Sequence, residues 1–188
     1  GFTVASETWQ LMKRIATSGE LAHLTPERVW QEWHKALATQ HPEQFIHVLQ
    51  ECGALKEVLP EIAQLYGVPQ PEKWHPEIDT GIHTLMVIEQ AANLSESLPI
   101  RFAAAVHDLG KGTTPPDEWP SHKMHGHTGI QLIKSLCERV RVPNDYRDLA
   151  LIVCEQHSNI HRAEELRPET VLKILNKMDV WRKPQRLN

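Results

Sequence analysis

The sequence predicts an all-α fold, a helical neck-like module followed by a second helical domain. Three observations carry this. Apolar residues recur at spacings of three and four along nearly the whole chain, strand-like alternation is absent, and Pro-marked starts and Gly-marked stops punctuate the periodic stretches.

Taken in order, residues near 6–17 place Trp9, Met12 and Ile15-Ala16 on one helical face. Thr25 is a candidate N-cap with Pro26 at the first helical position, and Arg28 stands where a capping box would have Glu. The helix it opens carries Val29, Trp30, Trp33 and Leu37 on one stripe. Pro42 opens a third helix with Phe45, Val48 and Leu49, which Gly53 ends; a fourth is expected from Val58 to Tyr66, ended by Gly67. These elements form a module over 1–70. The Pro-dense stretch from Gly67 to Pro76 reads as a linker. Helices are expected again at about 80–95, 99–109, 124–140, 143–157 and 168–181, making a second domain over 75–188.

Composition is that of an ordinary globular protein, with 40% hydrophobic and 23% charged residues and a net charge of −4. That balance does not by itself call for nucleic acid or a membrane as partner. The basic cluster Arg182, Lys183, Arg186 reads as a solvated tail. Cys52, Cys137 and Cys154 are odd in number and lack CxxC spacing, which argues against a disulfide framework and a cysteine zinc site and fits a cytoplasmic location. No apolar run approaches ~18 residues, so no membrane span is expected. The chain opens on Gly1-Phe2 without an initiator Met and reads as a piece of a longer protein.

The 12 histidines are unusually many, and their positions suggest a metal centre. The stretch from Leu98 to Leu109 is apolar almost all round, yet ends in His107-Asp108 before Gly110, which is read as a helix-stopping C′ residue. A carboxylate at the end of a buried helix is costly unless it is paired or bound to a cation. Asp179 lies four residues after Leu175 on the apolar face of the last helix, and His83 lies in line with Val87. His83, His107, Asp108 and Asp179 are therefore the expected metal ligands, with the pairs His125/His127 and His157/His161 nearby. The alternatives stand beside this. A single inward His is usually a satisfied core residue, and Asp179 could pair instead with Arg182 or Lys183 one turn away.

Imidazole and carboxylate donors without thiolate suit nickel, manganese, cobalt, iron, zinc or, less well, magnesium. Such a divalent ion would activate water and polarise a phosphorus centre. Asp108 then belongs to the catalytic group. Lys111 is expected to clamp the phosphate, and His125 or His157 to hand a proton to the leaving oxygen or help bind a second ion. Gly110-Lys111-Gly112-Thr113 is not a Walker loop, since position 105 is Ala and a helix precedes it; no GxSxG occurs.

The set H…HD…D, with Ala105-Val106-His107-Asp108-Leu109-Gly110-Lys111, resembles the HD phosphohydrolase superfamily. Within it, the chain is most similar to the HD domain of bacterial CCA-adding tRNA nucleotidyltransferases. His75-Pro76-Glu77-Ile78-Asp79 running into His83, His125 with Gly129, and Asp179-Val180-Trp181-Arg182-Lys183-Pro184-Gln185-Arg186 carry that likeness. Leu24-Thr25-Pro26-Glu27-Arg28-Val29 and Leu59-Pro60-Glu61 are similar to the tRNA-contacting neck and body.

The resemblance implies a 2′,3′-cyclic phosphodiesterase, 2′-nucleotidase and phosphatase acting on tRNA 3′ ends and small phosphate esters, as a monomer or homodimer. The family's polymerase carboxylates and nucleotide-selecting motif are not found in these residues, so the piece is not expected to add CCA. A tRNA-docking scaffold with a vestigial site is the alternative.

Overall fold

A computed structural model describes residues 3–160 and 162–187. Among them the fold is all-α, with one isolated β-bridge between Pro69 and Asp79. The first module comprises α1 (Ser6–Ser18), α2 (Pro26–Leu37), α3 (Glu43–Cys52) and two single turns, α4 (Leu55–Val58) and α5 (Pro60–Ala63). The fourth helix expected from the sequence is thus broken. Leu59 is held at φ −133°, ψ 66° by the proline that follows it, and the chain restarts at Pro60. Gly53 and Gly67 end their elements in the left-handed region, as their positions suggested.

The second part comprises α6 (Thr80–Leu94), α7 (Leu98–Val106), α8 (His125–Arg139), α9 (Asn144–Ile160) and α10 (Pro168–Met178). Buried α7 packs between α6 and α9, and α9 also packs on α8. The helix predicted to reach Leu109 stops earlier, and a 3-10 turn over Leu109–Thr113 follows.

One hydrophobic core runs through both parts. Trp30 and Trp33 of α2 meet Phe102 of α7 edge to face at 5.6 and 5.2 Å, and Trp30 meets Tyr146 of α9 at 5.0 Å. His34 Nε2 lies 2.9 Å from the Tyr146 hydroxyl. The segment expected to be a linker is bound down as well. Gly67 N–H donates to Asp79 Oδ2 at 2.6 Å, Gln70 N–H to Ile78 O at 2.7 Å, and the Thr80 hydroxyl to Val68 O at 2.8 Å. Asp79 also caps α6, accepting from Ile82 N–H. This strap carries Gln70 and Glu77 toward the start of α6.

Arg101, 7% exposed within α7, ties the parts together at another point. Its guanidinium donates to Leu37 O (2.7 Å), Thr39 O (2.8 Å), Ser95 O (2.8 Å) and Ala92 O (3.2 Å), satisfying the carbonyl ends of α2 and α6. Arg101→Met strands these acceptors and is expected to cost about 3–5 kcal/mol in urea unfolding. A loss below about 1 kcal/mol would show that water replaces the guanidinium.

Candidate metal centre

Asp108 sits just past the end of α7, 1% exposed, at the floor of a cleft of about 1190 Å³. The end of α7 brings His107, α6 brings His83, the start of α8 brings His125 and the last turns of α9 bring His157. One carboxylate oxygen, Oδ2, lies 3.1 Å from His107 Nε2 and 3.8 Å from His83 Nε2. The other, Oδ1, lies 3.5 Å from both His125 Nε2 and His157 Nε2, which are 3.3 Å apart.

Each imidazole is pinned on its opposite nitrogen. Nδ1–H of His107 donates to Ala104 O (2.8 Å), that of His125 to His122 O (2.8 Å), that of His157 to Cys154 O (3.0 Å), and that of His83 to Glu77 Oε1 (2.6 Å). A neutral imidazole with its proton on Nδ1 offers a lone pair at Nε2. Three such lone pairs, on His83, His125 and His157, therefore face a carboxylate whose Oδ1 has no hydrogen-bond donor, and His107 Nε2 stands closest to its other oxygen. Lone pairs facing an anion repel, and a cation between them reverses the sign. The residues fit a divalent ion on chemical grounds, and they form two ligand groups sharing Asp108: His83-His107-Asp108 and Asp108-His125-His157.

Burial pushes the imidazoles of His83 and His125 below their ordinary values, and that of His157 down to about 4, against the pull of Asp108. Burial works the same way on His107, but Asp108 outweighs it and His107 is raised. For Asp108 itself, burial favours the neutral acid, yet His107, Lys111 and His157 hold it well below the usual carboxylate range.

The folded, metal-free protein thus binds fewer protons at His83, His125 and His157 than the unfolded chain does below pH 6.5. These groups contribute nothing above that pH and reduce stability as pH falls toward 4; raised His107 acts in the opposite sense. His157 alone accounts for roughly 3 kcal/mol across that window. Urea unfolding in chelator between pH 7.5 and 4 should show the loss, and a flat profile would contradict it.

The sequence-derived residues fare differently. His83, His107, Asp108, His125 and His157 are brought together. Lys111 lines the same cleft, and its buried Nζ is 2.7 Å from Asp108 Oδ2 and 2.5 Å from Gln70 Oε1. It acts here as the counter-charge of Asp108.

Asp179 does not join any His/Asp group within ligand reach among the described residues. The helix ends at Met178, and Asp179 takes φ 58° as its C-cap, so the four-residue step from Leu175 no longer describes its direction. Its carboxylate accepts from Arg182 Nε at 2.8 Å, which holds it below its ordinary range. His127 is exposed. His161 lies outside the described residues. Lys183 and Arg186 line the cleft rather than forming only a tail.

Two glycines permit the assembly. A Cβ on Gly110 would stand 1.8 Å from His125 O, and one on Gly129 2.6 Å from Cys154 Sγ. Gly110 is required for this close approach; the left-handed conformation expected of it is not adopted.

Residues 80–181 match the family model described as HD domain, and residues 1–65 match one described as "Probable RNA and SrmB- binding site of polymerase A". The chain is similar to the Multifunctional CCA protein of Vibrio cholerae serotype O1, at 74% identity over 187 residues, which is 100% of this chain and 46% of that protein. The proteins of the same name from Vibrio parahaemolyticus and Aliivibrio salmonicida are 75% and 71% identical, each over 100% of this chain and 46% of the relative. The chain spans about half the length of the curated relatives it matches.

Proposed function

This chain belongs to the HD domain family, and we propose that its centre is a metal-dependent phosphohydrolase working within a CCA-adding tRNA nucleotidyltransferase. The substrates proposed are 2′,3′-cyclic phosphodiesters, 2′-phosphates and other phosphate esters, including those at tRNA 3′ ends. One observation carries the reading: four imidazole Nε2 atoms and an orphaned carboxylate oxygen converge in a buried site.

The proposed ligands are His83, His107 and Asp108 on one carboxylate edge, and Asp108, His125 and His157 on the other. Nitrogen and oxygen donors suit nickel, manganese, cobalt or magnesium. A divalent ion held there supplies Lewis acidity, activating water at neutral pH and polarising a phosphoryl oxygen.

The chain's own residues do the rest. The pinned Nδ1–H groups fix the imidazoles, so little reorganisation accompanies binding. With low proton affinity, His125 and His157 are neutral near pH 7 and serve better as ligands than as proton donors. Lys183 and Arg186 offer positive charge to a phosphate ester in the cleft, and Met86, Val87, Ile100, Ala103, Leu149 and Val153 give it an apolar wall for the organic part. Such a wall has no use for inorganic phosphate and suits a nucleoside ester.

Chelator-treated protein supplied in turn with magnesium, manganese, cobalt and nickel should hydrolyse 2′,3′-cyclic AMP with at least one of them. If none supports turnover, the enzyme reading is wrong. Because Arg182 holds Asp179, Asp179→Ala is expected to keep metal affinity within about threefold; a loss like that of a liganding His would restore Asp179 to the ligand set.

The match of residues 1–65 to an RNA-binding model favours a second role, docking of tRNA by the first module. A salt-titrated gel shift tests it, and tRNA binding without any turnover would leave the scaffold reading alone.

A further inference from the structure

Three of the four imidazoles facing Asp108 are pinned by backbone carbonyls of their own or the preceding turn, which the fold supplies without choice of side chain. His83 is different. Its Nδ1 partner is a side chain, the Glu77 carboxylate at 2.6 Å, and this oxygen lies in a loop rather than a helix.

The loop is built to deliver it. Ile78 holds φ 60°, a conformation that β-branched residues rarely adopt, and the turn is closed by Ile78 N–H to His75 O at 2.8 Å and Asp79 N–H to Glu77 O at 2.6 Å. The far side is fixed to the strap through Gln70 N–H to Ile78 O. The Glu77 side chain is 11% exposed, and the His75 ring stands edge-on to His83 at 4.6 Å with its Nδ1 3.4 Å from the same Glu77 oxygen. Strain, burial and a short charge-assisted bond therefore meet on one contact.

His75, Glu77 and His83 also form a group within ligand reach of one another. The 2.6 Å contact between Glu77 Oε1 and His83 Nδ1 is a hydrogen bond and leaves no room for an ion between those atoms.

We propose that Glu77 is a positioning residue of the centre, holding the proton of His83 on Nδ1 so that Nε2 is presented as a ligand beside Asp108. The inference rests on the reading of the centre as a metal site. Carboxylate partners of liganding histidines fix ring orientation and raise ligand basicity, and their loss weakens metal affinity about 10–100-fold.

The test uses the full chain in two measurements. Long-range proton–nitrogen NMR correlations of the metal-free protein should show His83 in the Nδ1–H form, and Glu77→Ala should release it toward Nε2–H. Titration with manganese or nickel should show Glu77→Ala weakened by about 10–100-fold at unchanged stoichiometry, with Glu77→Gln recovering most of the loss because its amide oxygen still accepts from Nδ1–H.

An Nε2–H tautomer in the wild-type protein overturns the proposal, as does a Glu77→Ala affinity within about twofold of wild type. If Glu77→Ala fails to fold, the wild-type tautomer and Glu77→Gln decide. If wild-type protein takes up no metal, the phosphohydrolase reading fails, and the tautomer alone decides whether Glu77 positions His83.

Discussion

Asp108→Ala is expected to abolish metal-dependent hydrolysis, by at least about 10³-fold, or roughly 4 kcal/mol of transition-state stabilisation. The carboxylate is shared by both ligand groups, so its removal leaves neither complete. Asp108→Asn tests charge against shape: the amide keeps the volume but presents a neutral oxygen or an N–H to lone pairs that need a cation.

Loss of activity by misfolding is separable. Without Asp108, buried Lys111 retains only Gln70 as a partner among the described contacts, and an unpaired buried ammonium costs a few kcal/mol. The double variant Asp108→Asn/Lys111→Met removes both charges and should regain most of the stability that Asp108→Asn alone loses, while staying inactive. Activity within tenfold of wild type in Asp108→Ala would remove Asp108 from the mechanism.

Gly110→Ala should be nearly as damaging, through the fold. Gly110 has no positive φ, so on backbone conformation alone alanine would be tolerated. The Cβ, however, would lie 1.8 Å from His125 O and 2.7 Å from Thr128 Oγ1, and a helix backbone cannot yield like a side chain. The first turn of α8 must move away from the Leu109–Thr113 turn, taking His125 from Asp108. A destabilisation of at least about 3 kcal/mol follows, or about 6–12 °C in melting temperature for a chain of this size, together with loss of the second ligand group. Gly129→Ala meets the Cys154 sulfur at 2.6 Å and the Gly110 backbone nitrogen only at 3.3 Å, so adding Cys154→Ala should recover most, not all, of its loss. No such rescue exists for Gly110. A stable Gly110→Ala protein would mean that α8 does not pack so closely.

What was legible in the sequence was what periodicity and short motifs encode. Helix positions followed from apolar spacing, and His107-Asp108 was readable because a buried carboxylate at a helix end needs a counter-charge. His83 was found from its register with Val87. The differences have physical causes. The break at Leu59 came from the restriction that proline places on its predecessor, a local effect that outweighed the apolar pattern from Val58 to Tyr66. Asp179 was projected along a helix that ends one residue before it.

Glu77, Gln70 and the restraint on Lys111 depend on contacts across the chain from a Pro-rich segment that reads as a linker, and no spacing rule encodes such contacts. The continuous core joining Trp30 and Trp33 to Phe102 and Tyr146 was hidden for the same reason. Gly110 gave a signal, but glycine needed for close approach and glycine needed for a left-handed turn look alike in sequence.

Crystals soaked in nickel or manganese, with anomalous scattering recorded at the metal edge, test the central claim most directly. The expected result is density about 2.0–2.3 Å from His83 Nε2, His107 Nε2 and Asp108 Oδ2, with a second peak bounded by Asp108 Oδ1, His125 and His157 if two ions bind. No anomalous peak against Asp108, or a peak only at surface carboxylates, would contradict the assignment of this cluster as a metal centre.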